Sequence, residues 1–480
     1  MNILITAAVV VACLVVGYGL YAFVLKLIWP MPAPHDEEHC VTTEDGWTIT
    51  LFRHRAAKEG GEPVLLCHGA FANRFNLVMP VSRGIAASLT EAGYDCWAIE
   101  YRGSESGQPP AGVAKESGSL DDYLLYDLPA AVDYIREHTG HPKIHWVGHS
   151  MGGMLFYAFD QVFGGEALAS ATTLGAPIGF KGTKVRPEPF LLALHKRMPW
   201  LFLDLVRATI PIIRPLKLRL PFLPVNPWNI DPALPTRHLY RMIGYMNNRV
   251  INDLHDIAVS QDWRMDGGSL DVVAGLPHLE TPLFVVLGVQ DPFVPVAEGE
   301  GFYHSIFNPD KRLLVLSKEH GHSADYNHVD LSMAPSGRYE VSGAIVEWLQ
   351  AHPVSAVGKS ASTTAPKVPP GPKDPPAPPP SGEEPSIMVT PGGRTRSTAL
   401  RGKSAAKAKP KAAASKKKAA AKKKSTAKAK SNSKPTAKPK SKPKAKAKPK
   451  ATAKAKPKAT AKKKPAAKKK AATARKSKEN

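Results

Sequence analysis

The stretch Lys143-Ile144-His145-Trp146-Val147-Gly148 is an apolar run of strand length, and Met151 to Phe163 carries the apolar spacing of a helix. Between them lies Gly148-His149-Ser150-Met151-Gly152, a G-x-S-x-G turn that needs glycines where strand and helix approach closely. A strand turning this sharply into a helix belongs to a layered arrangement, and the same alternation recurs along the chain. Strands are predicted over Trp47–Arg53, Pro63–Cys67, Tyr94–Tyr101, Lys143–Gly148, Ser170–Leu174, Pro282–Gly288 and Arg312–Ser317. Helices are predicted over Val81–Ala92, Leu120–His138, Met151–Phe163, Val296–Phe307 and Tyr339–Leu349. Continuous apolar strands separated by helices predict an α/β class: a buried, mostly parallel sheet with helices on both faces.

That alternation covers only part of the chain. About 38 of the 65 Lys and Arg residues, and only 4 of the 41 Asp and Glu, fall in residues 354–480, so the basic charge belongs to the tail. The rest is net acidic, by roughly ten charges. The tail is mostly Lys, Ala, Pro, Ser and Thr; Ala445–Thr452 reads AKAKPKAT and Ala453–Thr460 repeats it. Such a composition cannot bury a core, and predicts disorder. At the other end, Ile3 to Leu25 has no charged side chain and is long enough to cross a bilayer. No basic residue precedes this run and Trp29-Pro30-Met31-Pro32 follows it, so residues 1–29 read as a retained single-pass anchor. Lys26 beyond the run weakly places the following domain on the cytoplasmic side. Pro30 to Pro34 form a stiff linker, and residues 41–350 the globular domain. Within it, about 178–280 is too long for a simple connection; its apolar, helix-compatible segments read as a helical cap. The four cysteines, Cys13, Cys40, Cys67 and Cys96, lack zinc or disulfide spacing and are expected to be reduced.

A serine hydroxyl becomes a nucleophile only beside a base that is itself held by a carboxylate. Where Ser150 stands on a strand-to-helix turn, the chain order is serine, acid, histidine. Asp291, just past the Pro282–Gly288 strand, is the acid candidate, although Asp-Pro is also a common turn initiator. His320, His322 and His328 all follow the last strand, and spacing alone does not separate His322 from His328. His68-Gly69-Ala70 follows the Pro63–Cys67 strand, so the amides of Ala70 and Met151 are the expected oxyanion donors. His68, His145 and His149 read as structural. No metal cluster or phosphate-cradling loop stands out, and neither a metal nor a cofactor is expected.

These residues resemble the acid lipases, gastric and lysosomal, within the α/β-hydrolase fold. Thr43-Glu44-Asp45-Gly46-Trp47 resembles that family's opening strand. Tyr126-Asp127-Leu128-Pro129-Ala130, Asp133-Tyr134-Ile135, His138-Thr139-Gly140 and His145 to Ser150 are similar to its nucleophile region. Tyr326-Asn327-His328-Val329-Asp330-Leu331 resembles the segment that holds its catalytic histidine. The similarity spans roughly Val41 to Leu349 and is strongest before Ser150. It implies His328 rather than His322 as the base, and hydrolysis of lipid-like esters through an acyl-enzyme without a cofactor. Met151-Gly152-Gly153 departs from the family, which has Gln after the nucleophile; the anchor and basic tail depart from it too.

A flexible polycation attracts polyanions, whether nucleic acid or anionic lipid. Without aromatics or a folded reader it does not read sequence. The alternatives are a thioesterase or polyester depolymerase on the same fold, or a polyanion-binding anchor protein whose hydrolase domain is inactive.

Overall fold

Alternate residues of the central strands face opposite ways, and both ways are apolar, so the sheet must be covered twice. In the computed structural model, which describes residues 2–30, 34–178, 180, 183, 189–218 and 224–354, it is. The sheet has eight strands: β1 (Glu37–Thr42), β2 (Thr48–His54), β3 (Pro63–Cys67), β4 (Asp95–Glu100), β5 (Ile144–His149), β6 (Leu168–Leu174), β7 (Leu283–Gly288) and β8 (Lys311–Leu316). Their order is β1-β2-β4-β3-β5-β6-β7-β8. β1 with β2 and β2 with β4 are antiparallel, and every later pairing is parallel.

Preceding the sheet is α1 (Asn2–Ile28). The helices covering the sheet are α2 (Ile85–Glu91), α3 (Leu128–Thr139), α4 (Met151–Phe163), α9 (Val296–Ser305) and α10 (Ser342–Ala351). Val64 and Leu66 of β3 pack in one apolar cluster with Leu89 of α2 and Ile345 and Leu349 of α10. Leu65 and Cys67 pack in the other, with Val132 and Ile135 of α3, Leu155 and Phe159 of α4 and Phe302 of α9. The helical insertion between β6 and β7 carries α5 (Pro189–Arg197), α6 (Pro199–Leu216), α7 (Thr236–Met242) and α8 (Asn248–Ser260).

The structure departs from the sequence reading in several places. The sheet has a strand that was not expected, β1, which starts at Glu37 and pairs antiparallel with β2 along its whole length. Its exposed–buried alternation and its two glutamates hide it from a search for apolar runs. The long helix expected over Leu120–His138 is broken into Leu120–Asp122, a π-helical turn over Tyr123–Asp127, and α3. That turn aims Asp127 at Arg102, whose Nε donates to Asp127 Oδ1 (2.7 Å) while Nη1 donates to Asp45 Oδ2 (2.6 Å). The helix expected over Val81–Ala92 starts only at Ile85, after Gly84.

α1 is an apolar helix whose stretch Ile5–Ile28 is long and apolar enough to cross a membrane, by length and composition. Most of its surface is exposed, but Ala22 and Leu25 are buried against Ala208 of α6 and Tyr240 of α7. The Lys/Ala/Pro tail lies outside the described residues, as do Arg219 of the insertion and Pro32 of the linker.

Candidate active site

Ser150 is fixed by its neighbours in sequence. It sits between β5 and α4 with φ 53° and ψ −118°, a conformation that non-glycine residues rarely adopt. Two glycines make the turn possible: a Cβ on Gly148 would lie 2.4 Å from Gly152 O, and one on Gly152 would lie 2.2 Å from Cys67 O. The Ser150 amide donates to Leu174 O at the end of β6 (2.9 Å).

The residue after Leu174 leads to the other two candidates. Gly175 has φ 54°, and a Cβ there would lie 2.7 Å from Asp291 Oδ2 and 3.1 Å from His328 Nδ1. Serine, aspartate and histidine therefore converge at the C-terminal ends of β5, β6 and β7. Gly175 was not singled out from the sequence; its only signal there is a glycine directly after an apolar strand.

Asp291 is buried and divides its two oxygens. Oδ1 accepts the amides of Phe293 (2.8 Å) and Val294 (3.2 Å), which closes the turn an Asp-Pro pair suggests. Oδ2 lies 2.7 Å from His328 Nδ1. A carboxylate only accepts, so Nδ1 is the donor and the lone pair falls on Nε2. The turn and the histidine contact thus coexist on one side chain.

His328 is held from several directions. His149 Nε2 lies 3.0 Å from the His328 carbonyl oxygen, and the rings of His149 and Phe293 stand 4.7 Å and 4.8 Å from the His328 ring. Burial drives the His149 pKa down to about 3, so its imidazole is neutral and Nε2 carries the donated proton. Asp330 braces the loop below: it accepts from the Asn327 amide (2.9 Å), the Asn226 amide (3.1 Å) and Asn229 Nδ2 (2.7 Å). Burial pushes its carboxyl up to about 6 against those three donors. Little in the local sequence signals this role for Asp330, since two of its three donors, Asn226 and Asn229, come from the distant insertion. His322 faces elsewhere, with Nδ1 3.1 Å from Ser317 O, and His320 Nδ1 lies 2.6 Å from Ser317 Oγ.

The loop after β3 abuts the serine: a Cβ on Gly69 would lie 3.0 Å from Ser150 Cβ. His68 Nδ1 is 2.9 Å from Gly69 O and its ring packs on Tyr101, 4.8 Å between centroids. Ala70 follows, half-buried, and Phe71 has φ 53°. Met151 is the first residue of α4, where a helix leaves its amide without an intrahelical acceptor. A cleft lined by His68, Gly69, Phe71, Tyr101, Met151 and Tyr245 joins this loop to the insertion. His145, by contrast, is buried in β5 between Ser170 Oγ (2.9 Å) and Glu62 Oε2 (3.3 Å). All four cysteines are free thiols.

Among the described residues, Glu37, His39 and His138 bring potential metal ligands within 4.8 Å of one another. Arg53 Nη1 lies 3.0 Å from Glu37 Oε2 and 3.4 Å from His138 Nε2, and a fixed positive charge in that position opposes a second cation. The cluster sits at the β1 edge of the sheet.

Residues 62–324 match the family model described as the alpha/beta hydrolase fold. Lipase 1 of Drosophila melanogaster is 34% identical over 149 residues, covering 28% of this chain and 34% of that protein. Mouse gastric triacylglycerol lipase is 35% identical over 145 residues, or 28% of this chain and 36% of that lipase. Human lysosomal acid lipase/cholesteryl ester hydrolase is 31% identical over 147 residues, with the same coverage of 28% and 36%. The chain thus matches about a third of the length of these relatives. With more than half of its length matched by the family model, around a serine on a strand-to-helix turn, the chain belongs to the alpha/beta hydrolase fold family.

Proposed function

We propose that the protein is a carboxylic ester hydrolase working through an acyl-enzyme on Ser150. The observation that carries this reading is the 2.7 Å contact between Asp291 and His328, beside a serine held on a strained turn. His328 Nε2 takes the Ser150 Oγ proton as the oxygen attacks the ester carbonyl. The imidazolium that forms is stabilised by Asp291, and the amides of Ala70 and Met151 receive the oxyanion. His328 then protonates the leaving alcohol, and water repeats the sequence on the acyl-enzyme. No step calls for a metal or cofactor.

Relatives named as gastric triacylglycerol and lysosomal acid lipases support a lipid-like substrate. The apolar α1 supports a single-pass anchor over residues 1–29, with Lys26 favouring a cytoplasmic domain at 41–350 and a cap at about 178–280. The Lys-rich segment 354–480 is read as binding polyanions through its charge and without sequence preference, losing affinity steeply as salt rises.

Hydrolysis of p-nitrophenyl esters of rising chain length tests the core of this reading. Ser150→Ala is expected to lower kcat by about 10⁴-fold or more, leaving only what the oxyanion donors and binding supply. Near-wild-type turnover in that variant would end the assignment.

A further inference from the structure

The N-terminal helix ends on the insertion, and the insertion braces the loop after β3. At the first joint, Tyr18 Oη donates to Leu205 O (2.8 Å) and Lys26 pairs with Asp204 (2.8 Å), both on α6. Ala22 and Leu25 close the joint against Ala208 and Tyr240, and Trp29 meets the Tyr240 ring edge-on at 5.3 Å. Arg241, only 6% exposed, donates from Nε to Trp29 O (2.6 Å) and from Nη2 to Lys26 O (3.0 Å) and Trp29 O. These are carbonyls at the C-terminal end of α1, where orphan acceptors and the negative end of the helix dipole favour a cation.

The second joint starts from the same residue. Arg241 O accepts Asn73 Nδ2 (2.7 Å), Ile243 bridges to Ala72, and the Gly244 amide donates to Phe71 O (2.9 Å). The approach is close enough that a Cβ on Gly244 would lie 2.0 Å from Ala72 O. Arg207 of α6 holds the same segment, donating from Nε to Ile243 O (2.8 Å) and from Nη2 to Glu105 (2.8 Å). One short segment, 241–244, therefore touches the end of α1 on one side and residues 71–73 on the other.

From this continuity we infer that Arg241 is a positioning residue: it couples the seating of the N-terminal helix to the geometry of the loop that carries Ala70. Without α1 in place, the Arg241 guanidinium loses its three bonds to the helix end together with the cover that the helix gives it, and a charged donor left without acceptors is drawn toward solvent. The segment then relaxes to solvate it, and the bridge to Ala72 and the bond to Phe71 go with it. The helix is accordingly a working part of the site as well as a tether. The catalytic consequence rests on the reading of Ala70 as an oxyanion donor; the mechanical coupling does not.

Full-length protein in detergent micelles tests both, through ester kinetics and amide exchange at residues 70–73. Arg241→Met is expected to lower kcat about tenfold with KM within about twofold, since an ångström of misplacement at such a site is felt mainly in the transition state. Exchange at 70–73 should rise in parallel, and Arg241→Lys should recover part of both by donating to a single carbonyl. Ala22→Trp, which wedges α1 from α6 without touching the sheet domain, should reproduce the pattern, and the double variant should be no worse than Ala22→Trp alone. Should Arg241→Met not fold, Ala22→Trp still decides. Unchanged exchange and kcat in Ala22→Trp would overturn the coupling, as would losses that simply add in the double variant. Faster exchange in the variants of a protein that turns over no ester would uphold the coupling and reject the ester hydrolase reading.

Discussion

Ser150 and His328, brought together in the candidate site, are held in different ways. The turn around Ser150 is built from residues within two positions of it: Gly148 and Gly152 leave room that no side chain could share with the strand ends. The loop around His328 is built from far away, by Asp291, His149, Asn226 and Asn229. A local device leaves a motif. A device assembled across the fold leaves single residues whose meaning depends on where the chain brings them, which is why His322 and His328 could not be told apart by spacing.

The sharpest way to break this contrast is to change the histidines one at a time. His328→Ala should cost about 10⁴-fold in kcat while His322→Ala stays within about twofold, because only the base of such a unit carries the proton. A large loss in the His322 variant, read in the same ester assay, would mean that Asp291 has been paired with the wrong residue.

The local half of the contrast predicts a stability effect. Gly152→Ala puts a methyl 2.2 Å from the carbonyl oxygen of Cys67, a backbone atom of the neighbouring strand that cannot swing aside. Overpacking of this kind costs about 1–3 kcal/mol or more, measurable by denaturant unfolding. A change below about 0.5 kcal/mol, the size of an ordinary surface substitution, would show that the turn has slack.

The smallest effect concerns the distant half. His149 is buried neutral, with its pKa lowered to about 3, whereas an unfolded histidine titrates near 6.5. On acidification the unfolded chain takes this proton first, so the contribution of His149 to stability is lost as pH falls from about 6.5 toward about 3. Unfolding midpoints measured across that window should fall less steeply in His149→Gln than in wild type. Parallel slopes would indicate that the ring is protonated in the folded state.

Physical reasons also separate what was legible in the fold from what was not. β3 to β7 were readable because strands buried on both faces are continuous apolar runs, and β8, half-buried at the sheet edge, by its Leu313-Leu314-Val315-Leu316 run; each lies within two residues of its expected bounds. β1 was not, because an edge strand with one wet face carries glutamates and a histidine among its six residues. The break in the helix before α3 follows from burying Asp127 against Arg102, a contact 25 residues apart that no local periodicity reports. Asp45 and Asp127, which lie in two of the segments that resemble the acid lipases, both end on that arginine.

By itself the sequence determined the α/β class, the place of the serine and the apolar character of the first helix, since each is written in residues a few positions apart. Only the tertiary structure decided which histidine Asp291 holds, that Gly175 must be bare for the two to meet, and that Arg241 lies between the end of α1 and the loop after β3. Those outcomes rest on atoms brought together from chain separations of 37 and 212 residues, where burial and hydrogen-bond geometry, rather than local propensity, set the partner.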